Sequence, residues 1–85
     1  GSVRTSPFQL KGDSLNVNID AARGELRVRV LDSEGKSLAD SEIVREDKTS
    51  ETVAWRNGEI AQLKEETVRL EFLSRDTQLF SYWFD

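Results

Sequence analysis

The stretch Gln78-Leu79-Phe80-Ser81-Tyr82-Trp83-Phe84-Asp85 decides the fold of this chain. Five of its eight residues are large and apolar, and such a segment would fray or aggregate in water if it were left unpaired. We therefore predict that it forms a terminal β-strand within a sheet. Because strand side chains alternate between two faces, one face is predicted to hold Phe80, Tyr82 and Phe84, and the other Leu79, Ser81 and Trp83.

Only one of these two faces is needed to fill a core. We expect the first face to be buried and the second to leave Trp83 in water. An exposed tryptophan on a sheet is typical of a binding surface, because its ring offers a large apolar plane with a polar N–H. Trp83 is therefore the first candidate for a ligand contact.

The rest of the chain repeats this alternation in short segments. Three sets have an apolar residue at every second position, namely Leu15, Val17 and Ile19; Leu26, Val28 and Val30; and Val68, Leu70 and Phe72. Such sets are typical of half-buried strands. Shorter strands are predicted at 8–10, 42–44 and 52–55, and the polar stretch 45–51 is predicted to be a loop.

Turn residues separate these segments. In the hairpin 32–36, Gly35 is placed for the positive φ of a tight turn with a bulge, and Asn57-Gly58 is a strong turn pair. Residues 60–66 suit either one or two helical turns or a loop at the edge of the fold. About seven strands without a long helix predict an all-β fold, an antiparallel β-sandwich of jelly-roll-like type.

The 85 residues suffice for one domain, which we place at 8–85. Gly1-Ser2 resembles a cloning scar, so residues 1–7 are predicted to be a tag remnant and lead-in. A chain of this size buries only about 60–65% of its unfolded surface, so a deep active site is not expected. We expect the isolated domain to be a monomer.

Composition excludes several classes of function. The chain has no cysteine and no histidine, which removes disulfides, thiolate nucleophiles, imidazole bases and the usual zinc and copper ligands. Its net charge of −4 argues against nucleic-acid binding, which needs dense Lys and Arg. No stretch approaches the roughly 18 apolar residues of a membrane helix. We therefore expect no enzyme activity and no nucleic-acid or membrane partner.

Carboxylates are plentiful but follow no catalytic or metal-binding pattern. Glycoside hydrolysis needs two carboxyl groups held across a cleft, and nothing predicts a cleft here. Calcium takes six to eight oxygen ligands, which the 32–34 hairpin and the Glu46-Asp47 loop could supply in part. Since no calcium-loop motif is present, we expect no cofactor and keep calcium as the weaker alternative.

Four segments in their order carry a family resemblance: PFQLKGDSLNVNID, GELRVRVLDSEGKSL, ETVAWRNGEIAQLKEETVRLEF and DTQLFSYWF. Residues 8–84 resemble the small β-sandwich domain at the carboxyl end of glycoside-hydrolase-like proteins of planctomycetes and related bacteria, many with five-bladed propellers. The matching features are the Asp32, Gly35 and Lys36 hairpin, Trp55 before a polar turn, and the 79–82 ending. The resemblance implies an accessory domain, similar to a carbohydrate-binding module, without catalytic residues.

At the position of Trp83 the family pattern carries a polar residue, often Arg or Gln, so the shared fold does not explain this tryptophan. An outward indole is what a carbohydrate-binding surface uses, because the C–H faces of sugars pack on aromatic planes while their hydroxyls form hydrogen bonds. Outward side chains are expected to form these hydrogen bonds with the sugar if their strands neighbour the terminal strand. The candidates are Arg27, Arg29, Arg69 and Glu71. Arg27 and Arg29 would also suit the negative charge of sulfated or uronic sugars.

The other aromatic candidates have structural interpretations. Trp55 is expected to cover one end of the sandwich with its indole N–H bonded to a backbone carbonyl, and a ligand contact is the alternative. Tyr82 is expected in the core with its hydroxyl at the rim. Trp83 itself has an alternative role, packing under a loop or against the catalytic domain of a parent enzyme.

Three functions remain open. The first is a carbohydrate-binding module that tethers a secreted enzyme, extracellular or periplasmic, to a poly- or oligosaccharide. The second is a structural appendage that buries its aromatic face against the catalytic domain of the parent enzyme. The third is an adhesion sandwich that adds a partner strand at its edge. We take the first as the prediction and the second as its main alternative.

Overall fold

The computed structural model describes residues 2–20, 24–44, 48–75 and 78–85, without the side chains of 19, 20, 48–51 and 78–80. Within these ranges the chain forms nine strands and one short 3-10 helix. The strands are β1 Ser2–Arg4, β2 Phe8–Gln9, β3 Leu15–Asp20, β4 Glu25–Leu31, β5 Ser37–Ser41, β6 Lys48–Thr52, β7 Trp55–Asn57, β8 Thr67–Arg75 and β9 Gln78–Phe84, and the helix is Ile60–Leu63. The prediction of an all-β fold is confirmed.

The strands form two antiparallel sheets. The larger sheet has the order β1-β8-β4-β5-β7, with β2 also paired to β8, and the smaller sheet has the order β6-β3-β9. The predicted alternation within β3, β4 and β8 determines which side of each sheet faces inward. The two inward sides pack together and form one sandwich core.

The core is built from the alternating apolar residues. Its buried members are Leu10, Leu15, Val17, Leu26, Val28, Val30, Ala39, Val44, Val53, Ile60, Val68, Leu70 and Phe72. Both sheets contribute to this list, so neither sheet could bury its apolar side without the other. The predicted inward faces of β4 and β8 and of Leu15 and Val17 are confirmed, and the side chain of Ile19 lies outside the described residues.

The terminal strand forms as predicted, at the edge of the smaller sheet. Strand β9 runs antiparallel to β3, with Phe84 opposite Leu15 and Tyr82 opposite Val17. Beyond Phe84, the backbone N–H groups of residues 13 and 14 donate to the carbonyl oxygen of Asp85 at 2.6 and 3.1 Å. These bonds secure the end of the strand.

The register of β9 shifts by one residue near its start. Asn18 pairs with Ser81, but the next residue of β3, Ile19, pairs with Leu79, so Phe80 is the extra residue of a bulge. A bulge breaks strict alternation. The predicted faces therefore apply to 81–84, and those of Leu79 and Phe80 lie outside the described side chains.

Several predictions of local structure are wrong. Residues 2–4, assigned to the lead-in, form β1 against β8, and residues 48–51, assigned to a loop, belong to β6 against β3. The predicted strand 52–55 is divided, because the chain leaves the smaller sheet after Thr52 and enters the larger one at Trp55. In each case pairing with a distant strand outweighs local propensity.

The turns agree with the sequence. The carboxylate of Asp32 accepts the backbone N–H groups of Glu34 and Lys36, both at 2.9 Å, and Gly35 has φ +86°. Of the two interpretations of 60–66, the helical turn is found, with Ile60 buried. In the predicted strand 42–44, only Val44 forms a bridge, to Leu26.

Candidate functional site

Trp83 lies on the outer face of the smaller sheet. Its cross-strand partner is Asn16 in β3, the next pair along the same face is Asn18 with Ser81, and Asn16 also pairs with Thr52 in β6. We call this surface of Asn16, Asn18, Thr52, Ser81 and Trp83 the Trp83 face. The tryptophan side chain is 38% exposed, and its indole N–H forms no hydrogen bond with the described part of the chain.

The Asn16 side chain ties the three strands of the Trp83 face together. Its amide nitrogen donates to a carboxylate oxygen of Asp85 at 2.9 Å, and its amide oxygen accepts the Thr52 hydroxyl at 2.6 Å. Both ends of a buried amide are thus satisfied, which gives the centre of the face a fixed polar geometry. The indole therefore stands beside amide, hydroxyl and carboxylate groups.

A row of aromatic rings in tilted and edge-to-face contact lies along the inward side of β9. Tyr82 lies 5.0 Å from Phe72 of β8 and 6.5 Å from Phe84, which in turn lies 5.8 Å from Phe8, all between ring centroids. This aromatic row, Phe72-Tyr82-Phe84-Phe8, joins the two sheets along the β9 edge. Tyr82 faces the core as predicted, but it is 38% exposed, because an edge strand has no neighbour to cover its outer flank.

The four polar residues expected around Trp83 are elsewhere. Arg27 and Arg29 lie on β4, and Arg69 and Glu71 lie on β8, all in the larger sheet. Strand β9 neighbours β3 instead, so the condition for one shared site is not met. Since the two sheets pack through their inner sides, their outer faces point away from each other and Trp83 cannot share a small ligand with these residues.

An ionic row crosses the outer face of the larger sheet. The buried carboxylate of Glu71 contacts Arg4 at 2.7 Å and Arg29 at 3.4 Å, and Arg29 contacts Asp40 at 2.9 Å. These four residues stand side by side on β1, β8, β4 and β5. The row therefore links four strands through side chains and orients the guanidinium of Arg29.

Replacing Glu71 with glutamine is expected to lower the free energy of unfolding by about 1–2 kcal/mol, because two charge-assisted hydrogen bonds lose their acceptor charge. Half-exposed arginine partners stay hydrated, which limits the loss. Urea unfolding followed by tryptophan fluorescence measures it. The matched control is Glu65→Gln, whose ion pair with Lys11 is mostly exposed and should change stability by less than about 0.5 kcal/mol. Equal losses of stability for the two substitutions would show that the ionic row stabilises the domain no more than an exposed ion pair does.

Next to this row lies a pocket of about 120 Å³ between β4, β5 and β7. Its lining consists of Arg27, Val28, Arg29, Asp40, Ser41, Arg56, Asn57 and Leu73. We call it the arginine pocket. It brings together two predicted site residues, Arg27 and Arg29, with Arg56, for which no role was predicted, and Asn57, which was predicted to belong to a turn.

The two remaining predicted site residues, Trp55 and Arg69, lie away from both surfaces. Trp55 packs partly buried against the core, but its Nε1 atom is buried without a hydrogen-bond partner among the described residues, so the predicted bond to a carbonyl is not found. Arg69, opposite Leu31, likewise has a buried Nε atom without a partner in the described part of the chain. Neither residue lines the arginine pocket or lies on the Trp83 face.

The described residues contain no group of three or more His, Cys, Asp or Glu side chains that could hold a metal ion. Of the two predicted calcium segments, the 32–34 hairpin uses the Asp32 carboxylate to accept backbone N–H groups, and Glu46-Asp47 lies outside the described residues. No helix within the same ranges has the length and apolar character of a membrane span.

The fold thus defines an all-β sandwich with two outer faces of different chemistry, one aromatic and polar, the other rich in arginine. No family model, curated protein or solved structure matches this chain. The resemblance to the accessory domain of glycoside-hydrolase-like proteins stays a prediction.

Proposed function

We propose that this domain is a non-catalytic carbohydrate-binding accessory module. The observation that carries the proposal is the position of Trp83, which is 38% exposed on the outer face of β9 with the amide of Asn16 opposite its ring. An aromatic plane beside fixed polar groups matches the two sides of a sugar, apolar C–H faces and hydroxyls at the edges.

The Trp83 face supplies both kinds of contact. The indole offers the plane and a free N–H donor, while Asn18 and Ser81 form no side-chain hydrogen bond with the described part of the chain. Asp85 adds a carboxylate whose second oxygen can accept from a hydroxyl, since only one oxygen receives the Asn16 amide. Hydroxyl groups of a bound sugar therefore find acceptors and donors within reach of the ring.

Such a face is shallow, so a single site binds weakly. Weak binding still suits a tethering module, because attachment to a parent enzyme raises the local concentration of polysaccharide at its catalytic domain. The partners in this proposal are a poly- or oligosaccharide and the catalytic domain of a secreted parent enzyme, located outside the cell or in the periplasm.

The alternative is a structural appendage that packs against the catalytic domain of the parent. It is favoured by one observation, the adjacent exposure of Tyr82 and Trp83 on β9, which lies at the edge of its sheet. Exposed rings on both sides of an edge strand are typical of an edge that becomes buried by a partner. The polar neighbours of Trp83 favour the glycan, since an interface of this kind would be expected to surround the ring with apolar groups.

A glycan screen by microarray and affinity electrophoresis tests the proposal with wild type, Trp83→Ala and Val3→Ala. Wild type should bind at least one polysaccharide, and Trp83→Ala should weaken that binding about thirtyfold, because a tryptophan anchor contributes about 2 kcal/mol or more. Val3 is the matched control, since it is exposed but lies in the larger sheet, and its variant should bind like wild type. Absence of binding in all three proteins, or equal binding by all three, would contradict the module.

A further inference from the structure

We propose that the arginine pocket binds an oxyanion, a carboxylate or a sulfate group of an acidic ligand. The pocket lies on the larger sheet, away from Trp83, so this proposal goes beyond the glycan-binding function and stands without it. It rests on how the strands open the pocket, on how a bulge places Arg56, and on the charges that line it.

The pocket opens where pairing between β4 and β5 is interrupted. The last residue pair of the two strands on this side is Arg29 with Asp40, and the next bridge to β4 joins Leu26 to Val44, beyond the end of β5. Between these points the N–H of Val28 donates to the hydroxyl of Ser41 at 2.8 Å. A side-chain oxygen thus replaces the carbonyl of a regular ladder, and both residues line the pocket at this point.

A bulge in β7 brings Arg56 into this pocket. Asp40 pairs with Asn57, while the next residue of β5, Ser41, pairs with Trp55, so Arg56 is the extra residue. In a regular strand, consecutive residues point to opposite faces, yet both Arg56 and Asn57 line the pocket. Bulges commonly redirect a side chain in this way at functional sites.

The lining is positively charged within an acidic domain. It contains three arginines and one aspartate, whereas the whole chain has a net charge of −4. Arg29 is held by Asp40 and Glu71, but Arg27 and Arg56 form no ion pair with the described part of the chain. No carboxylate of the described residues therefore competes with a ligand for their guanidinium groups.

The size and donor geometry indicate the class of ligand. About 120 Å³ is well below the roughly 300–1,000 Å³ of sites that enclose a small molecule, so the pocket suits one charged substituent. Guanidinium groups bind carboxylate and sulfate oxygens in pairs, and the Asn57 amide can add a further donor. Uronate and sulfate esters share this chemistry, and two separate probes distinguish them.

Nuclear magnetic resonance titration of the ¹⁵N-labelled domain tests the proposal, with sodium sulfate and sodium glucuronate as probes at constant ionic strength. At least one probe should produce saturable shifts at the arginine Nε–H groups and at the Asn57 side chain. The probe with the lower Kd identifies the preferred oxyanion. Strictly linear shifts with both probes would overturn the proposal.

Variants assign the response to the pocket. Arg27→Gln and Arg56→Gln should each weaken binding about tenfold, because each removes a charged donor. Lys11→Gln removes the same charge from an exposed position and should leave the Kd unchanged, which controls for net charge. Asp40→Asn should tighten binding severalfold by removing the one carboxylate of the lining. Equal Kd values for wild type and the Arg27→Gln/Arg56→Gln double variant would also overturn the proposal.

The two proposed sites can be tested independently of each other. Trp83→Ala should keep the full anion response, since its position is in the other sheet. Arg56→Gln should keep any binding of a neutral glycan. Loss of anion binding in Trp83→Ala would contradict the assignment to the arginine pocket.

Discussion

Replacing Phe72 with alanine is expected to lower the free energy of unfolding by about 3–5 kcal/mol, the usual cost of removing a buried aromatic ring. A domain of this length has a total stability of about 4–13 kcal/mol. The substitution therefore removes roughly a quarter or more of that stability over most of this range. No other single ring in the described part of the chain is both this deeply buried and shared by both sheets.

The position of Phe72 explains the size of this effect. It lies in β8 between its partners Val3 and Val28, and its ring is 5.0 Å from that of Tyr82 across the sandwich. Its removal leaves a cavity in the core and also takes away the support of the aromatic row. Since β9 is an edge strand, it should loosen before the strands of the larger sheet.

Two measurements check this prediction. Urea unfolding gives the loss of stability, and amide hydrogen exchange shows where the structure opens, with faster exchange in β9 than in β4. Phe72→Leu is the control, because it keeps most of the volume and should cost less than about 1.5 kcal/mol. A loss below 1.5 kcal/mol for alanine as well, or equal loosening of β4 and β9, would contradict this account.

Replacing Gly58 with alanine is expected to cost about 2–5 kcal/mol, through two separate effects. Its φ of +79° lies in the left-handed region, where a Cβ atom costs roughly 1–2 kcal/mol. A Cβ atom there would also lie 2.8 Å from the Leu38 carbonyl oxygen and 2.9 Å from the Cβ of Ala39. Neither contact is the end of a flexible side chain, so the backbone must move.

Gly35 offers a matched control for this prediction. Its φ of +86° is nearly the same, but an added Cβ atom would meet nothing within 4 Å. Gly35→Ala should therefore show only the conformational cost, about 1–2 kcal/mol. Thermal unfolding of the two variants gives the difference, which measures the crowding at the β7 turn. Equal losses would mean that β5 yields freely to the added methyl group.

The Gly58 variant also bears on the arginine pocket. Gly58 directly follows Asn57, and the atoms that its Cβ would approach belong to β5, next to Asp40. A shift of β7 away from β5 would change the spacing between Arg56 and the other lining residues. We therefore expect Gly58→Ala to weaken anion binding, whereas Gly35→Ala, at a distant hairpin, should not.

The candidate site could be predicted only in part. The exposure of Trp83 follows from alternation within one strand, and the structure agrees with it. Its polar surroundings do not follow, because Asn16 and Thr52 are far away along the chain and meet the ring only through the order of the strands. The sequence does not predict Arg56 as a site residue, because its place in the pocket depends on a bulge in a three-residue strand.

The sequence by itself determined the strands with regular alternation, in β3, β4 and β8, and the faces of β4 and β8 that enter the core. Alternation with a period of two is a local property, readable in 26–30 or 68–72 without knowing any neighbour. Only the tertiary structure decided which strands are adjacent. It placed β9 beside β3, made a strand of the polar residues 48–51, and put Trp83 and Arg27 on opposite sheets. The reason is physical: strand order and register depend on backbone hydrogen bonds and core packing between distant segments, and no single segment contains that information.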